Sequence, residues 1–419
     1  MNKFKLVLIS GVGSLFETFD FYLFSLFAIA IGASIFGGRN SGELIWVFLA
    51  FASGYLARVA GAVFFGYIGD KYGRKLSFQY TILIIGFSSI LIGILPAFSM
   101  IGYTAIVLLF ILRIAQGFSY GGELTGATIL VREHIKDRTG FYCGLVQSFA
   151  GVGVLLAVAS YALLNEFLTA EQMIRFGWRI AFIGGGVFIL HSYFARQSLY
   201  ESPEYLQMRK TELERNQAIT PLKIAFEKYK MMMLLSVLTM SGTVTYFGIC
   251  IAYLPIYCRD YCASDTLQIV TLLLCMSITM PLGEIVGGLL SDLFGYKKVY
   301  FAVSVVAIIS VIPIFMVLTS GSSDVLIIYG SMIFYAFMIG ISLAIMMRYL
   351  TEIFPVEVRY SCVAISLNVA FAIFAGLSPV VMATLMPLFE VTLLPAYIMA
   401  MAFIVQVVAL VLIERKIKR

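Results

Sequence analysis

Residues 66–75 read GYIGDKYGRK, a short stretch of glycine, acidic and basic residues between two long apolar runs. A weaker copy, GLLSDLFGYKK, occupies residues 288–298. Asp70 corresponds to Asp292 and Gly73 to Gly295, and each pair is 222 positions apart. A repeat of this length in an apolar chain indicates two similar halves and is typical of membrane transporters.

The composition indicates an integral membrane protein. Of the 419 residues, 61% are hydrophobic and 12% are charged, and the mean hydropathy is +0.97. Twelve apolar runs are long enough to cross a bilayer as helices. They lie near residues 6–31, 43–68, 77–97, 103–131, 141–168, 178–196, 231–257, 266–291, 298–319, 325–350, 361–387 and 393–413. We therefore predict an all-α protein of twelve transmembrane helices.

A polar stretch at residues 197–230 separates the first six runs from the second six. We predict an N-terminal six-helix bundle over residues 1–196, a cytoplasmic linker over 197–230 and a C-terminal six-helix bundle over 231–419. Most lysine and arginine residues outside the runs become cytoplasmic if the N-terminus is inside. We therefore expect a multi-pass protein of the cell (inner or plasma) membrane with both termini in the cytoplasm.

The sequence lacks the motifs that several kinds of enzyme and pump require. There is no phosphate-binding Gly-x-x-x-x-Gly-Lys-Ser/Thr loop, no Gly-x-Ser-x-Gly elbow and no His-Glu-x-x-His pair, so neither an ATP-driven pump nor an enzyme is expected. Scattered Cys and His residues predict no metal site and no cofactor. The net charge of +6 forms no aromatic-interleaved basic patch, so no nucleic-acid partner is expected. A Cys258–Cys262 disulfide is possible, although free thiols are commoner in apolar segments.

Charged residues inside the predicted spans are the candidates for function. A charge at mid-bilayer costs roughly 2.5–3.5 kcal/mol, so each needs a partner or a wet cavity. The residues are Glu17 and Asp20 in the first span, Arg58 in the second, Arg113 and Glu123 in the fourth, and Glu284 in the eighth. Arg348, at the end of the tenth span, is expected to extend its side chain to the membrane surface.

Glu17 and Asp20 are three residues apart and share one helical face. Two carboxylates held close together cannot both ionise cheaply, so one is expected to carry a proton. Alternatively, each pairs permanently with Arg58 or Arg113. Glu123 lies about 15 Å beyond Arg113 along a helix, so it must contact a group on another helix.

Arg58 and Arg113 are candidates to bind a substrate carboxylate, because a guanidinium donates two parallel hydrogen bonds and stays charged. The alternative is that both only pair with the acids of the first span. Four polar side chains inside helices are candidates to line a pocket, namely Tyr22, Gln116, Tyr246 and Asn368. For these four, interhelical hydrogen bonds are the alternative interpretation.

The loop 66–75 and its copy resemble the loop motif of the major facilitator superfamily. Further stretches resemble its metabolite–proton symporter family: FETFDFYLF (16–24), RIAQGFSYGGELTGA (113–127), WRIAF (178–182), ESPEY (201–205), FPVEVRYS (354–361) and AGLSP (375–379). Within that family the chain is most similar to the proline/betaine transporters. The resemblance implies two six-helix bundles around a central cavity that opens to one side at a time.

This resemblance implies a monomeric, proton-coupled symporter that takes up a small zwitterion such as proline or betaine. Asp20 and Glu17 would take up the proton, Glu123 would couple it to the substrate, and Arg58 and Arg113 would bind the substrate carboxylate. An organic-acid symporter of the shikimate, oxoglutarate or citrate type is the nearest alternative. A drug–proton antiporter and a non-transporting membrane sensor are less favoured.

The repeated loop itself is interpreted as a gate. It has no phosphate-loop spacing and lies on the predicted cytoplasmic surface, so Asp70, Arg74 and Asp292 are gating candidates. We expect Asp70 to pair with a basic group or a helix N-terminus across the bundle interface when that side is shut.

Overall fold

The computed structural model describes residues 3–37, 42–72, 74–196, 206–207, 210–211, 221–262, 265–320, 325–389 and 391–417. Within these ranges the chain consists of helices joined by short turns, and they contain no strand. The prediction of an all-α protein is therefore confirmed.

The helices follow one another in two series. The first series is α1 (Lys3–Leu26), α2 (Ala28–Ile35), α3 (Gly42–Tyr72), α4 (Arg74–Gly93), α5 (Phe98–Ile101), α6 (Tyr103–Tyr120), α7 (Glu123–His134), α8 (Thr139–Phe167), α9 (Ala170–Gln172) and α10 (Trp178–Arg196). The second is α11 (Pro221–Lys228), α12 (Lys230–Leu238), α13 (Ser241–Tyr246), α14 (Leu254–Tyr261), α15 (Thr266–Phe294), α16 (Tyr296–Leu318), α17 (Val325–Ile353), α18 (Val356–Ala370), α19 (Ser378–Phe389) and α20 (Leu394–Ile417). Three π-helical segments, Met173–Gly177, Phe247–Tyr253 and Phe371–Gly376, continue directly into neighbouring α-helices.

Eleven helical stretches of the described residues are long and apolar enough to cross a membrane. A shorter apolar helix, Gln79–Gly93, belongs to α4 and lies at the third of the twelve predicted spans. Two of the predicted spans are interrupted. The run at residues 6–31 turns at Phe27, and the fourth span breaks between Tyr120 and Glu123.

Glycines at equivalent repeat positions pack the helices of each half. A Cβ added at Gly61 of α3 would lie 1.7 Å from the Phe118 carbonyl oxygen of α6. Gly283 of α15, 222 positions later, would place a Cβ 2.2 Å from the Phe337 carbonyl oxygen of α17. Only glycine permits such close backbone contact. The second and fourth spans of each half therefore pack in the same way, as the sequence repeat predicts.

Glycines also join the two halves where α8 crosses α15. A Cβ at Gly144 would lie 2.4 Å from the Glu284 carbonyl oxygen, and one at Gly288 would lie 2.4 Å from the Gly140 carbonyl oxygen. The bounds 1–196, 197–230 and 231–419 stay a prediction. Much of residues 197–230 lies outside the described residues, although α11 falls within it.

Candidate functional site

A small cavity lies between helices of both halves. Its polar wall consists of Glu17, Thr18, Tyr22, Tyr55, Arg58, Gln147 and Glu284, and its apolar wall includes Phe21, Phe247, Phe371, Met280 and Leu343. The centre of a water molecule can occupy about 40 Å³ of this cavity. One water needs about 10–15 Å³ by that measure, so the cavity holds a few waters. A ligand the size of an amino acid requires the walls to move apart.

Arg58 is the cationic centre of this cavity. Its Nη2 donates to Glu17 Oε1 at 2.8 Å, and its Nε donates to Asn368 Oδ1 at 3.0 Å. The Asn368 amide in turn donates to the Gly121 carbonyl oxygen at 2.7 Å. Because Asn368 belongs to α18, these bonds link the two halves. The hydrogen bonds of Arg58 to described residues involve Nε and Nη2, and none involves the third guanidinium nitrogen, Nη1.

Aromatic rings surround the same guanidinium. The Arg58 guanidinium carbon lies 5.4–5.5 Å from the centroids of Phe21, Tyr55, Tyr120 and Phe371. Attraction between a cation and these ring faces helps to hold the charge in a dry site. Arg58 is therefore fixed on several sides, and one of its nitrogens bonds no residue in the described part of the chain.

Asp20 belongs to a second buried polar group, behind the cavity wall. Asp20 Oδ2 accepts from Gln116 Nε2 at 2.7 Å and from the Tyr120 hydroxyl at 2.8 Å. Gln116 Oε1 accepts from Arg113 Nη1 at 2.8 Å, so the amide of Gln116 lies between the acid and the base. Arg113 Nε and Nη2 and Asp20 Oδ1 have no hydrogen-bond partner within the described ranges, and the Arg113 guanidinium carbon lies 4.2 Å from the Phe24 ring centroid.

Some of the other candidates from the sequence line the cavity and others do not. Tyr22 lines the cavity, whereas Arg113, Gln116 and Tyr246 are buried outside its lining. The Tyr246 hydroxyl has no partner, and its ring lies 5.8 Å from that of Phe247. Glu123 begins α7, but its side chain lies outside the described part of the chain.

Glu284 is the site residue to which sequence reasoning assigned no role. Its side chain is 0% exposed, and neither carboxyl oxygen has a hydrogen-bond partner in the described structure. Gln147, on the facing helix α8, also lines the cavity and has an unbonded Nε2 donor. The signal in the sequence was that Glu284 is the one deeply placed acid in the second half.

Asp292 joins the halves at the face where α3 and α15 end and α8 and α18 begin, here called the repeat-loop face. Its oxygens accept from the backbone N–H groups of Gly140 and Phe141, each at 2.9 Å. These amides belong to the first turn of α8, where a carboxylate is stabilised by unpaired N–H groups.

Arg348 is the second partner of Asp292. Its Nη1 lies 2.6 Å from Asp292 Oδ1, and its side chain is 16% exposed. The sequence did not predict this partner, and the expectation that Arg348 extends to the membrane surface stays a prediction.

Three further contacts close the repeat-loop face. Glu133 pairs with Arg359 at 3.4 Å, Arg132 pairs with Glu352 at 3.2 Å, and the Tyr360 hydroxyl donates to the Gly122 carbonyl oxygen at 2.6 Å. Each contact joins the first half to the second.

The two remaining gating candidates are Asp70 and Arg74. Asp70 lies in α3 and Arg74 begins α4, but their side chains lie outside the described residues. A Cβ at nearby Gly66 would lie 3.9 Å from atoms of Tyr360 and Ser361, so this end of α3 faces the first turns of α18. The pairing expected for Asp70 stays a prediction.

Two expectations from the sequence concern cysteines and metals. Cys258 and Cys262 are both free thiols, so they form no disulfide in this structure. Among the described residues there is no cluster of three or more His, Cys, Asp or Glu side chains placed to hold a metal ion.

Comparison with known proteins identifies the family. The sequence model of the Major Facilitator Superfamily matches residues 11–379. The chain belongs to this superfamily. Its relatives are transporters, so the protein is a multi-pass membrane transporter of a small molecule and not an enzyme.

Two relatives narrow the comparison. A provisionally named proline/betaine transporter of Staphylococcus aureus (strain COL) is 34% identical over 387 residues, covering 90% of this chain and 81% of that protein. The glycine betaine/proline/ectoine/pipecolic acid transporter OusA of Dickeya dadantii (strain 3937) is 31% identical over 389 residues, covering 90% of this chain and 77% of that protein.

Solved structures have the same fold. The xylose transporter XylE from E. coli, in a partially occluded inward open conformation, aligns with a TM-score of 0.76 at 15% identity, covering 97% of this chain and 96% of that chain. This similarity confirms the predicted major facilitator fold of two six-helix bundles.

Proposed function

We propose that this transporter is a proton-coupled symporter that takes up a small zwitterion, such as proline or betaine. The observation that carries the proposal is Arg58, a fixed guanidinium on the wall of a cavity between the halves, whose Nη1 bonds none of the described residues. Such a nitrogen is suited to bind a carboxylate. The names of the relatives support a zwitterion as the substrate.

In this proposal the substrate carboxylate binds Arg58, with Glu17 and Asn368 holding the guanidinium in place. Tyr22 and Phe247 offer ring faces to the cationic nitrogen of the substrate, because methylated ammonium groups are attracted to aromatic faces. Tyr246 supports Phe247 from behind.

The proton enters the first half at the Asp20 group. Glu17 is already paired with the cation Arg58, whereas Asp20 bonds the neutral groups of Gln116 and Tyr120, so Asp20 is the better of the two predicted carriers. Gln116 transmits its charge state to Arg113, and Glu123 is the predicted link to the substrate. Loss of the proton from Asp20 would strengthen its bond to Gln116 and so move Arg113.

One proton is sufficient for accumulation. A membrane potential contributes about 2.3 kcal/mol per charge per 100 mV. Moving a neutral zwitterion with one proton therefore sustains roughly a 50-fold gradient. We propose that the protein is a monomer in the cell (inner or plasma) membrane with both termini in the cytoplasm. The proton-coupled movement then accumulates the substrate inside the cell.

The test uses the purified protein and reconstituted vesicles. A thermal-shift panel of amino acids, betaines and carboxylates identifies the ligand, because a ligand of the folded state raises the melting temperature. We expect proline or betaine to stabilise the protein and to accumulate when an inward proton gradient is imposed. Stabilisation by shikimate or a dicarboxylate alone would favour the organic-acid symporter. If Asp20→Asn kept full proton-driven accumulation, the role of Asp20 would be wrong.

A further inference from the structure

Glu284 lies on α15, in the half of the chain opposite the Asp20 group. The side chain borders the cavity but is 0% exposed, so water in the cavity does not reach its carboxyl oxygens, and both oxygens lack a hydrogen-bond partner among the described residues. An ionised carboxylate in such a place would cost several kcal/mol, because no group compensates for its lost hydration. In this arrangement Glu284 therefore holds a proton.

The surroundings of Glu284 supply no fixed counter-charge. The titratable and charged groups on the helices packed around it are Tyr142, Cys143, Tyr161 and Glu166 of α8, Tyr329, Tyr335, Arg348, Tyr349 and Glu352 of α17, Tyr296, Lys297, Lys298 and Tyr300 of α16, Tyr257, Cys258, Arg259, Asp260 and Tyr261 of α14, and, across the cavity, Glu17 and Tyr22 of α1 and Tyr55 and Arg58 of α3. None of these described side chains forms a hydrogen bond or ion pair with Glu284. Glu17 and Asp20, in contrast, are each bonded to a neighbour.

The seal over Glu284 is a contact between the two halves. A Cβ at Gly151 of α8 would lie 2.8 Å from Glu284 Oε2 and 2.7 Å from the ring of Pro281. Two helical turns before Gly151, a Cβ at Gly144 would lie 2.4 Å from the Glu284 carbonyl oxygen. Because α8 and α15 belong to different halves, any motion that parts the halves here removes the seal and admits water to the carboxyl group.

We infer that Glu284 takes up and releases a proton in each transport cycle, in addition to Asp20. This inference rests on the proposed proton symport. The carboxylate accepts a proton from water on the side to which the cavity is open, and the closing of α8 on α15 traps the neutral acid. When the cavity opens to the other side, water solvates the carboxyl group and the proton leaves. Gln147 Nε2, an unbonded donor on the facing wall, is available to the carboxylate while it is ionised.

The experiment measures how many protons move with each substrate molecule. Wild-type protein and the Glu284→Gln variant are reconstituted in vesicles, and the fluxes of proton and labelled proline or betaine are recorded together. We expect Glu284→Gln to bind the substrate as the wild type does and to move one proton fewer per substrate. Glu284→Met fills about the same space without a polar group and should give the same proton-to-substrate ratio. It checks that the result with Glu284→Gln does not come from a folding defect caused by the buried amide.

Glu414→Gln is the matched control. Glu414 also lies in the second half, where it pairs with Lys297 at 2.8 Å and is partly exposed, so the proton-to-substrate ratio should not change. An unchanged ratio in both Glu284 variants would overturn the inference and leave the proton symport itself intact. Loss of substrate binding in both would also overturn it, because Glu284 would then be a substrate contact. Proton-independent transport by the wild type would instead refute the proposed function.

Discussion

Asp292→Asn should weaken the repeat-loop face in its shut arrangement. In the structure both Asp292 oxygens accept a backbone N–H of α8, and one of them also pairs with Arg348. Asn has the same shape but no charge, and it offers an NH₂ group where the second amide needs an acceptor. The variant therefore weakens all three contacts, because none of them then involves a charged acceptor.

The size of the effect follows from the three bonds. A hydrogen bond to a charged group contributes about 1.5–3 kcal/mol, against about 0.5–1.5 kcal/mol for a neutral one. Removing the charge thus costs roughly 1 kcal/mol per bond. The side chains of Asp292 and Arg348 are 19% and 16% exposed, so solvent reduces the sum. We expect a loss of about 2 kcal/mol, which shifts the ratio of shut to open protein roughly 30-fold.

Cys143 provides the assay. It lies one turn beyond Gly140 in α8, beside this contact, and it is 0% exposed. A maleimide reagent therefore reaches its thiol only when the face opens. With the other five cysteines replaced by serine or alanine, alkylation of Cys143 in reconstituted protein should be roughly 30-fold faster in Asp292→Asn.

The control variant is Glu414→Gln, because the Lys297–Glu414 pair is also partly exposed but lies within one half. It should leave the alkylation rate of Cys143 unchanged. Equal rates in Asp292→Asn and in the parent would refute the gating role of Asp292. Faster alkylation in both variants would show that the reagent reports general loosening and not the gate.

Four further substitutions have definite expected results. Gly61→Ala should lower the melting temperature strongly, because its Cβ would lie 1.7 Å from a backbone carbonyl oxygen of α6. Gly184→Ala is the matched control: its Cβ would meet no atom of another helix within 4 Å, so it should stabilise the protein by about 0.5–1 kcal/mol. Gln116→Leu removes an amide donor to Asp20 and should abolish proton-driven accumulation in vesicles while surface expression persists. Asp70→Asn should slow transport with nearly unchanged substrate affinity, and a large loss of affinity would place Asp70 in the binding site instead.

The sequence was sufficient to predict the helices and the two halves. Hydropathy depends on local composition, so the apolar runs could be found without knowledge of packing. The 222-residue repeat also predicted a structural equivalence, which the structure confirms in the contacts of Gly61 and Gly283. The breaks at Phe27 and after Tyr120 were not predicted, because apolar composition continues across Phe27 and the residues Gly121, Gly122 and Glu123 lie inside a long apolar run.

The pairing of polar side chains could not be predicted, because it depends on how distant helices meet. Arg58 bonds Asn368, 310 residues away, and nothing in the local sequence distinguishes this partner from others. The partner of Arg348 was missed for the same reason, since Asp292 comes from a different helix. Arg113 was expected at the cavity, but Gln116, one helical turn away, holds it behind the wall.

Glu284 and Asp292 lie on the same helix, and this placement links protonation to gating in the proposed cycle. They are eight residues apart on α15, or about 12 Å along its axis. Both face α8, where Gly144 and Gly288 hold the two backbones in contact. Because α15 is one continuous helix, separating it from α8 breaks the Asp292 bonds to Gly140 and Phe141 and admits water to Glu284 in a single motion. Release of the Glu284 proton would then stabilise the open arrangement, since an ionised carboxylate resists return to a dry site.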